Sequence, residues 1–190
     1  MKKIYCIIIS IAFIFSFSAC KKELERPDFG LTSSGLPVEY FDNDGYGYAD
    51  IRNEILIYTN IERQKEGLPP LTGNDPTATA IAFKRAEESA QLFEHQRPDG
   101  REYDTVIYEY GLKNWIYIGE NLGKGYPTTK KMIEGWMKSP GHRENIMRDF
   151  THMGVGFYVK DDIYYYTQFF VKYQKLDENG NPIGNIFDEQ

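Results

Sequence analysis

The chain contains three histidines: His142 and His152 fall within "WMKSPGHRENIMRDFTHMGVGFYV", residues 136–159, and His95 lies upstream in "FEHQRPDGR". Between them Glu120 sits in "IGENLG", flanked by apolar Ile116, Ile118 and Leu122. Imidazoles and a carboxylate are the groups that move protons near neutral pH or hold a divalent ion. A carboxylate in apolar surroundings is costly unless a donor meets it, and the histidines 25 residues upstream and 22 downstream are the candidate donors. His142 follows Ser139, Pro140 and Gly141. Ser suits a helix cap and Pro the first helical position, so His142 is predicted in the first turn of a helix. The helix dipole there disfavours the imidazolium and keeps the ring neutral, as a metal ligand or general base requires.

Two readings of His95, Glu120 and His142 stand side by side. They line a cleft that takes a ligand or a metal, or they form a hydrogen-bonded brace that fastens helices to a sheet. His152 precedes "MGVGFYV" and reads as a cap on a sheet edge rather than a cleft residue, Asn121 as a loop strap, and Arg143 as the partner of an acid with no function assigned.

The elements that must position these groups show in the periodicity. Ile51, Ile55, Tyr58 and Ile61 share one helical face, and that helix should stop at Gly67, ahead of Pro69-Pro70. Ala82, Ala86, Ala90 and Phe93 make a second stripe, with "KRAEES" reading as solvent-facing charge. A short helix is predicted around Val106 to Tyr110, closed by Gly111, and another over Thr128 to Lys138 behind Pro127. "WIYIG" reads as a short strand with Glu120 at its end. Met153, Val155, Phe157 and Val159 alternate with Gly154, Gly156 and Tyr158, and "KDD" then turns into "IYYYTQFFV". That last strand is apolar on both parities and wants cover on both sides. The expected fold is α+β, a three-layer α/β/α sandwich around a small, largely antiparallel sheet.

Five stretches, "TNIERQKEGLPPL", "FKRAEESAQLFEHQRPDGR", "IGENLGKG", "WMKSPGHRENIM" and "FTHMGVGFYV", resemble in order and spacing the signatures of the CAP superfamily, the SCP-like extracellular domain, and of its bacterial branch in particular. The similarity covers roughly residues 50 to 172. It implies an α-β-α sandwich and secretion. It also implies a cleft lined by two histidines and two acids, which in some members holds a divalent metal such as zinc. On this chain the first histidine matches His95, the glutamate Glu120 and the later histidine His142. The second acid's place, three residues after Trp136, is taken by Ser139. The disulfides of the plant and animal members have no counterpart either.

The N-terminus reads as an address. Lys2 and Lys3 precede the apolar run Ile4 to Phe17, then small Ser18 and Ala19, then Cys20. Residues 4 to 19 are too short for the roughly 20 needed to span a bilayer, so the segment is predicted to be a signal peptide. "FSAC" resembles the bacterial lipobox, with Phe17 where Leu is commonest, which implies cleavage before Cys20 and lipidation of its thiol. Removing residues 1–19 takes away Cys6, Lys2 and Lys3, leaving 20 basic and 28 acidic side chains, a net of about −8. Nucleic acid is therefore not an expected partner, and charge would not hold the chain to anionic lipid. Residues 20–46 read as lipidated Cys and spacer, 47–173 as the domain, and 174–190 as a tail whose Asn179-Gly180 pair either turns a hairpin or frays.

Two function classes follow. One is a lipid-anchored envelope module whose cleft binds a small ligand, lipid or peptide. The other is a metal-assisted hydrolase using the same three residues, against which stands the lack of "HExxH" and "GxSxG" motifs. The anchor has a direct test. Full-length protein should partition into detergent and Cys20→Ala should release it, while mass spectrometry finding an unmodified soluble chain beginning at residue 20 would refute the lipid. Because one acyl chain binds only marginally, more than one is expected on Cys20.

Overall fold

The computed structural model describes residues 48–180 and Ile183; the expected signal peptide, Cys20 and the spacer to residue 46 lie outside the described residues. Helix α1, Tyr48–Lys65, ends where expected. Gly67 takes a left-handed φ of 73°, Leu68 N–H bonds back to Arg63 O and Gly67 N–H to Gln64 O, the paired closure that a left-handed residue permits. Helix α2, Pro76–Ser89, is capped by Asp75, whose carboxylate accepts from Thr77 N–H and Ala78 N–H. Helix α3, Val106–Tyr110, closes on Gly111 at φ 65°, as predicted. Strand β1, Trp115–Lys124, leads to helix α4, Thr129–Lys138, with Thr128 as its cap. Helix α5, Pro140–Met147, follows at once, then strands β2, His152–Lys160, and β3, Ile163–Tyr173.

The three strands are antiparallel in the order β1-β3-β2. β3 is therefore central, which accounts for its two apolar parities. Phe169 and Val171 pack with Ala78, Ile81 and Ala82 of α2 and with Val106 and Ile107 of α3. Tyr166 and Phe170 pack with Ile55 of α1, Met132, Ile133 and Trp136 of α4 and Ile146 of α5. These are the three layers of an α/β/α sandwich with one core on each side of the sheet. β2 and β3 join through Asp161 and Asp162, at φ 51° and 59°, the two positive values that a tight hairpin turn demands. At Gly154 and Gly156 a Cβ would collide with the backbone of α2 at Ala78 and Ala82, so α2 rides directly on β2.

Three expectations need correction. Ile61 is 40% exposed, and the buried row of α1 runs Ile55, Thr59, Arg63, each fully buried, because polar side chains with distant partners occupy positions that an apolar stripe leaves out. Phe93 lies beyond α2, 43% exposed, with its ring edge-on to Tyr165. β1 does not stop at Gly119 but runs five residues further, with Glu120 and Asn121 buried in mid-strand. The tail turns at residues 177–180, where Gly180 N–H bonds Asp177 O, and Ile183 N–H reaches back to Lys175 O.

Phe169 is fully buried at the centre of the sheet, so Phe169→Ala should cost about 3 to 5 kcal/mol, whereas Lys175→Ala in the exposed tail should cost nearly nothing. Denaturant unfolding with equal midpoints for the two variants would contradict the central placement of β3.

Candidate functional site

Adjacent residues of β1 face opposite layers. Glu120 pairs across β1 and β3 with Phe169, on the α2 face, and Asn121 with Gln168, on the face toward α1 and α5. Everything in the site follows from what each of these two side chains binds.

Glu120 is 3% exposed, and its carboxylate is held from two directions. Arg85 of α2 grips it with both prongs of the guanidinium, Nε to Oε2 at 2.6 Å and Nη2 to Oε1 at 3.1 Å. His95 meets Oε1 through Nδ1 at 2.8 Å. Arg85 also bonds the carbonyl of His95 at 2.9 Å and Glu88 at 2.6 Å, so one buried guanidinium fixes the carboxylate and the backbone that carries the histidine. Glu88 in turn accepts from Arg97, Arg97 bonds Glu109, and Glu109 bonds Arg101. This alternating chain of charge pins the loop from residue 94 to 105 against α2 and α3. Arg97, 2% exposed, is held fully cationic by its two carboxylates, and Glu109 is drawn down to about 2 by Arg97 and Arg101.

On the other face Asn121 donates to the backbone carbonyl of His142 at 3.1 Å and to Gln168 at 3.0 Å. Asn145 of α5 donates to Asn121 and to the carbonyl of Glu120. Gln168 continues to Thr59 of α1 at 2.7 Å. A buried row of amides thus ties α5, and with it His142, to the sheet. Asn121 is a strap as expected, but in a buried strand rather than a loop.

The two imidazoles are pushed in opposite directions. The bond to Glu120 raises the pKa of His95 above its ordinary value, overcoming partial burial, while the ring remains 55% exposed. Burial, and then repulsion from His95, lower that of His142. Its neutrality was expected from the helix dipole, yet burial is the leading cause, and Ser139 makes no side-chain cap. Tyr103 stands 6.0 Å from His95 ring to ring, its hydroxyl kept neutral by burial and by Glu120.

The structure therefore brings His95 and Glu120 into direct contact and places His142 close enough to feel the charge of His95. The bond to Glu120 expected of His142 is made by Arg85 instead. His152 lies elsewhere, at the start of β2, edge-on to Tyr173 at 4.8 Å with Nδ1 on Thr151 Oγ1. The sequence reading missed Arg85 and Glu88, taken as solvent-facing charge. In "KRAEES" only Lys84 and Glu87 match that description. The signal was available in spacing, since Arg85 falls three and four residues after Ala82 and Ile81 on the buried stripe. As a metal site the trio does not fit. Both oxygens of Glu120 already accept from Arg85 and His95, Ser139 stands in place of a second acid, and among the described residues no group of three His, Cys, Asp or Glu is arranged to hold an ion.

A three-layer sandwich carrying two histidines about a glutamate buried in the middle of an outer strand defines a recognisable class. The family described as cysteine-rich secretory protein, CAP, matches residues 56–173, and the chain belongs to that family. The uncharacterized protein YkwD of Bacillus subtilis is 35% identical over 121 residues, which is 62% of this chain and 46% of that protein. The uncharacterized membrane protein YlbC of the same organism is 37% identical over 123 residues, 63% of this chain and 34% of its own. The chain thus spans less than half the length of either curated relative. Among solved structures, an extracellular protein containing a SCP domain from Bacillus anthracis aligns with a TM-score of 0.59 at 27% identity, over 65% of this chain and 41% of that one. An outer surface protein from Borrelia burgdorferi aligns with a TM-score of 0.58 at 20% identity, over 64% and 92%, and shows the shared fold.

The His95–Glu120 pair is open to titration. Below the unfolded-state value of about 6.5 this bond contributes to stability in full, and the contribution fades as pH rises through the raised folded value. His142 acts in the opposite sense, costing stability as pH falls from about 6.5 through its lowered value. In Glu120→Gln the ring titration of His95, followed by NMR, should move downward. In Arg85→Leu it should move further up, because a repelling cation is gone, and stability should drop by about 3 to 5 kcal/mol as Glu120 loses its buried partner. An unmoved His95 titration in Glu120→Gln would show that the pair does not form in solution.

Proposed function

We propose that this chain is an exported, lipid-anchored binding module whose cleft at His95, Glu120 and His142 takes a small ligand, lipid or peptide group that presents an acceptor oxygen. Export is supported by the signal-like N-terminus and by the printed descriptions of its structural relatives, one an extracellular protein and one an outer surface protein. Anchoring rests on "FSAC" and on the spacer behind it.

The observation that carries the binding reading is the saturation of Glu120. With Arg85 and His95 on its two oxygens, the carboxylate is a positioning group rather than a free acid, base or metal ligand. Because Nδ1 of His95 is committed to Glu120, the other ring nitrogen is the one left for a ligand. Tyr103 adds a neutral hydroxyl beside it, and His142 a neutral imidazole. Such a cleft favours anionic oxygen at pH values where His95 is charged.

Acetate and inorganic phosphate serve as probes. At pH 6 they should shift the His95 ring resonances in NMR, the shift should disappear in His95→Ala, and His152→Ala should keep it. Zinc, manganese, calcium and magnesium should leave the melting midpoint unchanged. The opposite result is well defined: a metal present at 100 times its dissociation constant adds about 2.7 kcal/mol, worth roughly 5 to 11 °C for a domain of this size. A rise of that order, lost in both His95→Ala and His142→Ala, would replace the binding module by a metal centre and reopen the hydrolase reading.

A further inference from the structure

Helix α5 presents two different faces. Asn145 and Ile146 turn to the sheet, Ile146 fully buried and Asn145 bonded to β1. Arg143, Glu144 and Met147 share another face and, with Met137 and Lys138 at the end of α4 and with Arg148, line an open groove of about 650 Å3. That volume lies within the roughly 300 to 1,000 Å3 of ligand sites. Pro140, at the start of α5, completes the lining, and none of these seven side chains takes part in the Glu120 or Asn121 networks.

The charge of the groove runs against the charge of the chain. The chain carries a net −6, yet three of the seven lining residues are cationic and one is acidic. A fourth cation lies directly behind them. Arg63 is fully buried, and its hydrogen-bond partners among the described residues are the carbonyls of Pro69, Ile146 and Arg148, at 2.9, 2.7 and 2.6 Å. Among the described residues its Nη2 has no hydrogen-bond partner, and Asp149 acts on it only through space. This guanidinium brings positive charge under the backbone of Met147 and Arg148 without a bonded carboxylate to cancel it.

The cations of the groove are held in different ways. The guanidinium carbon of Arg148 stands over the ring of Tyr117, 4.6 Å from its centre, a contact that holds the cation in place. Arg143 reaches Glu66 at 2.9 Å, but both side chains are about half exposed, and an ion pair of that kind is worth little and is readily exchanged for another. Met137 and Met147 are half-buried and supply a deformable thioether surface.

We propose that this groove docks an acidic segment of a partner polypeptide, its carboxylates on Arg143, Arg148 and Lys138 and an apolar side chain on Met137 and Met147. Guanidinium forks match carboxylates in two-point geometry. A positive patch on an acidic protein also steers an acidic partner to one place on the surface. The groove is open, so an alkyl chain laid along it would stay wet on one side, whereas a peptide backbone accepts water there. Glu144 offers an acceptor for a backbone N–H. Arg143, to which the sequence reading gave no role, becomes the principal contact.

The test is anisotropy of a labelled Glu-Leu-Glu-Glu-Leu-Glu peptide titrated with the whole chain. Saturable binding is expected, weakened about threefold by Lys138→Ala or Arg143→Ala and at least about tenfold by both together, and falling as salt rises. Both positions are exposed, so the melting midpoint should hold. His95→Ala should leave peptide binding intact, which separates failure here from failure of the cleft reading. Absence of saturable binding, indifference to the double substitution, or equal binding of a Lys-Leu-Lys-Lys-Leu-Lys peptide would overturn the site. Equal binding of a Glu-Ser-Glu-Glu-Ser-Glu peptide would overturn the apolar contact. Displacement of the peptide by dodecyl phosphate at much lower concentration than by unlabelled peptide would assign the groove to an anionic amphiphile instead.

Discussion

A carboxylate buried in the middle of β1 must be answered by a cation, and Arg85 answers it. Burying two charges is expensive, and the attraction between them repays the cost only when the geometry is good and the remaining hydrogen-bonding capacity is used. Here both conditions hold, since Arg85 spends its nitrogens on Glu120, Glu88 and the carbonyls of Glu94 and His95. α2 therefore has one rotational setting against the sheet, and the loop carrying His95 has one path out of α2. The close approach of α2 to Gly154 and Gly156 fixes the height of the same helix above the strands. Packing and electrostatics specify one placement together.

The dipeptide Glu120-Asn121 divides the work between the layers. In a strand, neighbours point to opposite faces, so a single peptide unit reaches His95 through one side chain and the backbone of His142 through the next. One histidine is gripped by its ring and carries a raised pKa. The other is positioned through its main chain, its ring left to burial and to the charge of the first. Two residues of the same type thereby acquire different chemistry.

Much of the scaffold was legible because it depends on local rules. Gly111 closes α3 in the left-handed conformation that glycine tolerates, α4 covers the span expected of it to within one residue, and the two parities of β3 announced a central strand. The members of the site could be named, but not their bonding. "KRAEES" has the composition of a solvated face, and what buries Arg85 is a carboxylate 35 residues away. Ser139 stands at the N-cap of α5, where its carbonyl accepts from Arg143 N–H, but its side chain makes no capping bond. Helical spacing could place Arg85 on the buried face of α2, but it could not name the carboxylate that meets it there.

The position of β3 bears on how the molecule is assembled. Among the described residues it is the last strand in sequence and the central one in the sheet, and both hydrophobic cores are built on it. A polypeptide emerging N-terminus first can wind its helices and lay α2 against β2, yet neither core closes until residues 163–173 arrive. Contacts so far apart in sequence close slowly, because loop-closure entropy is lost before they form. The order of the strands therefore leaves both layers of helices waiting on one segment, so the two cores close together and late.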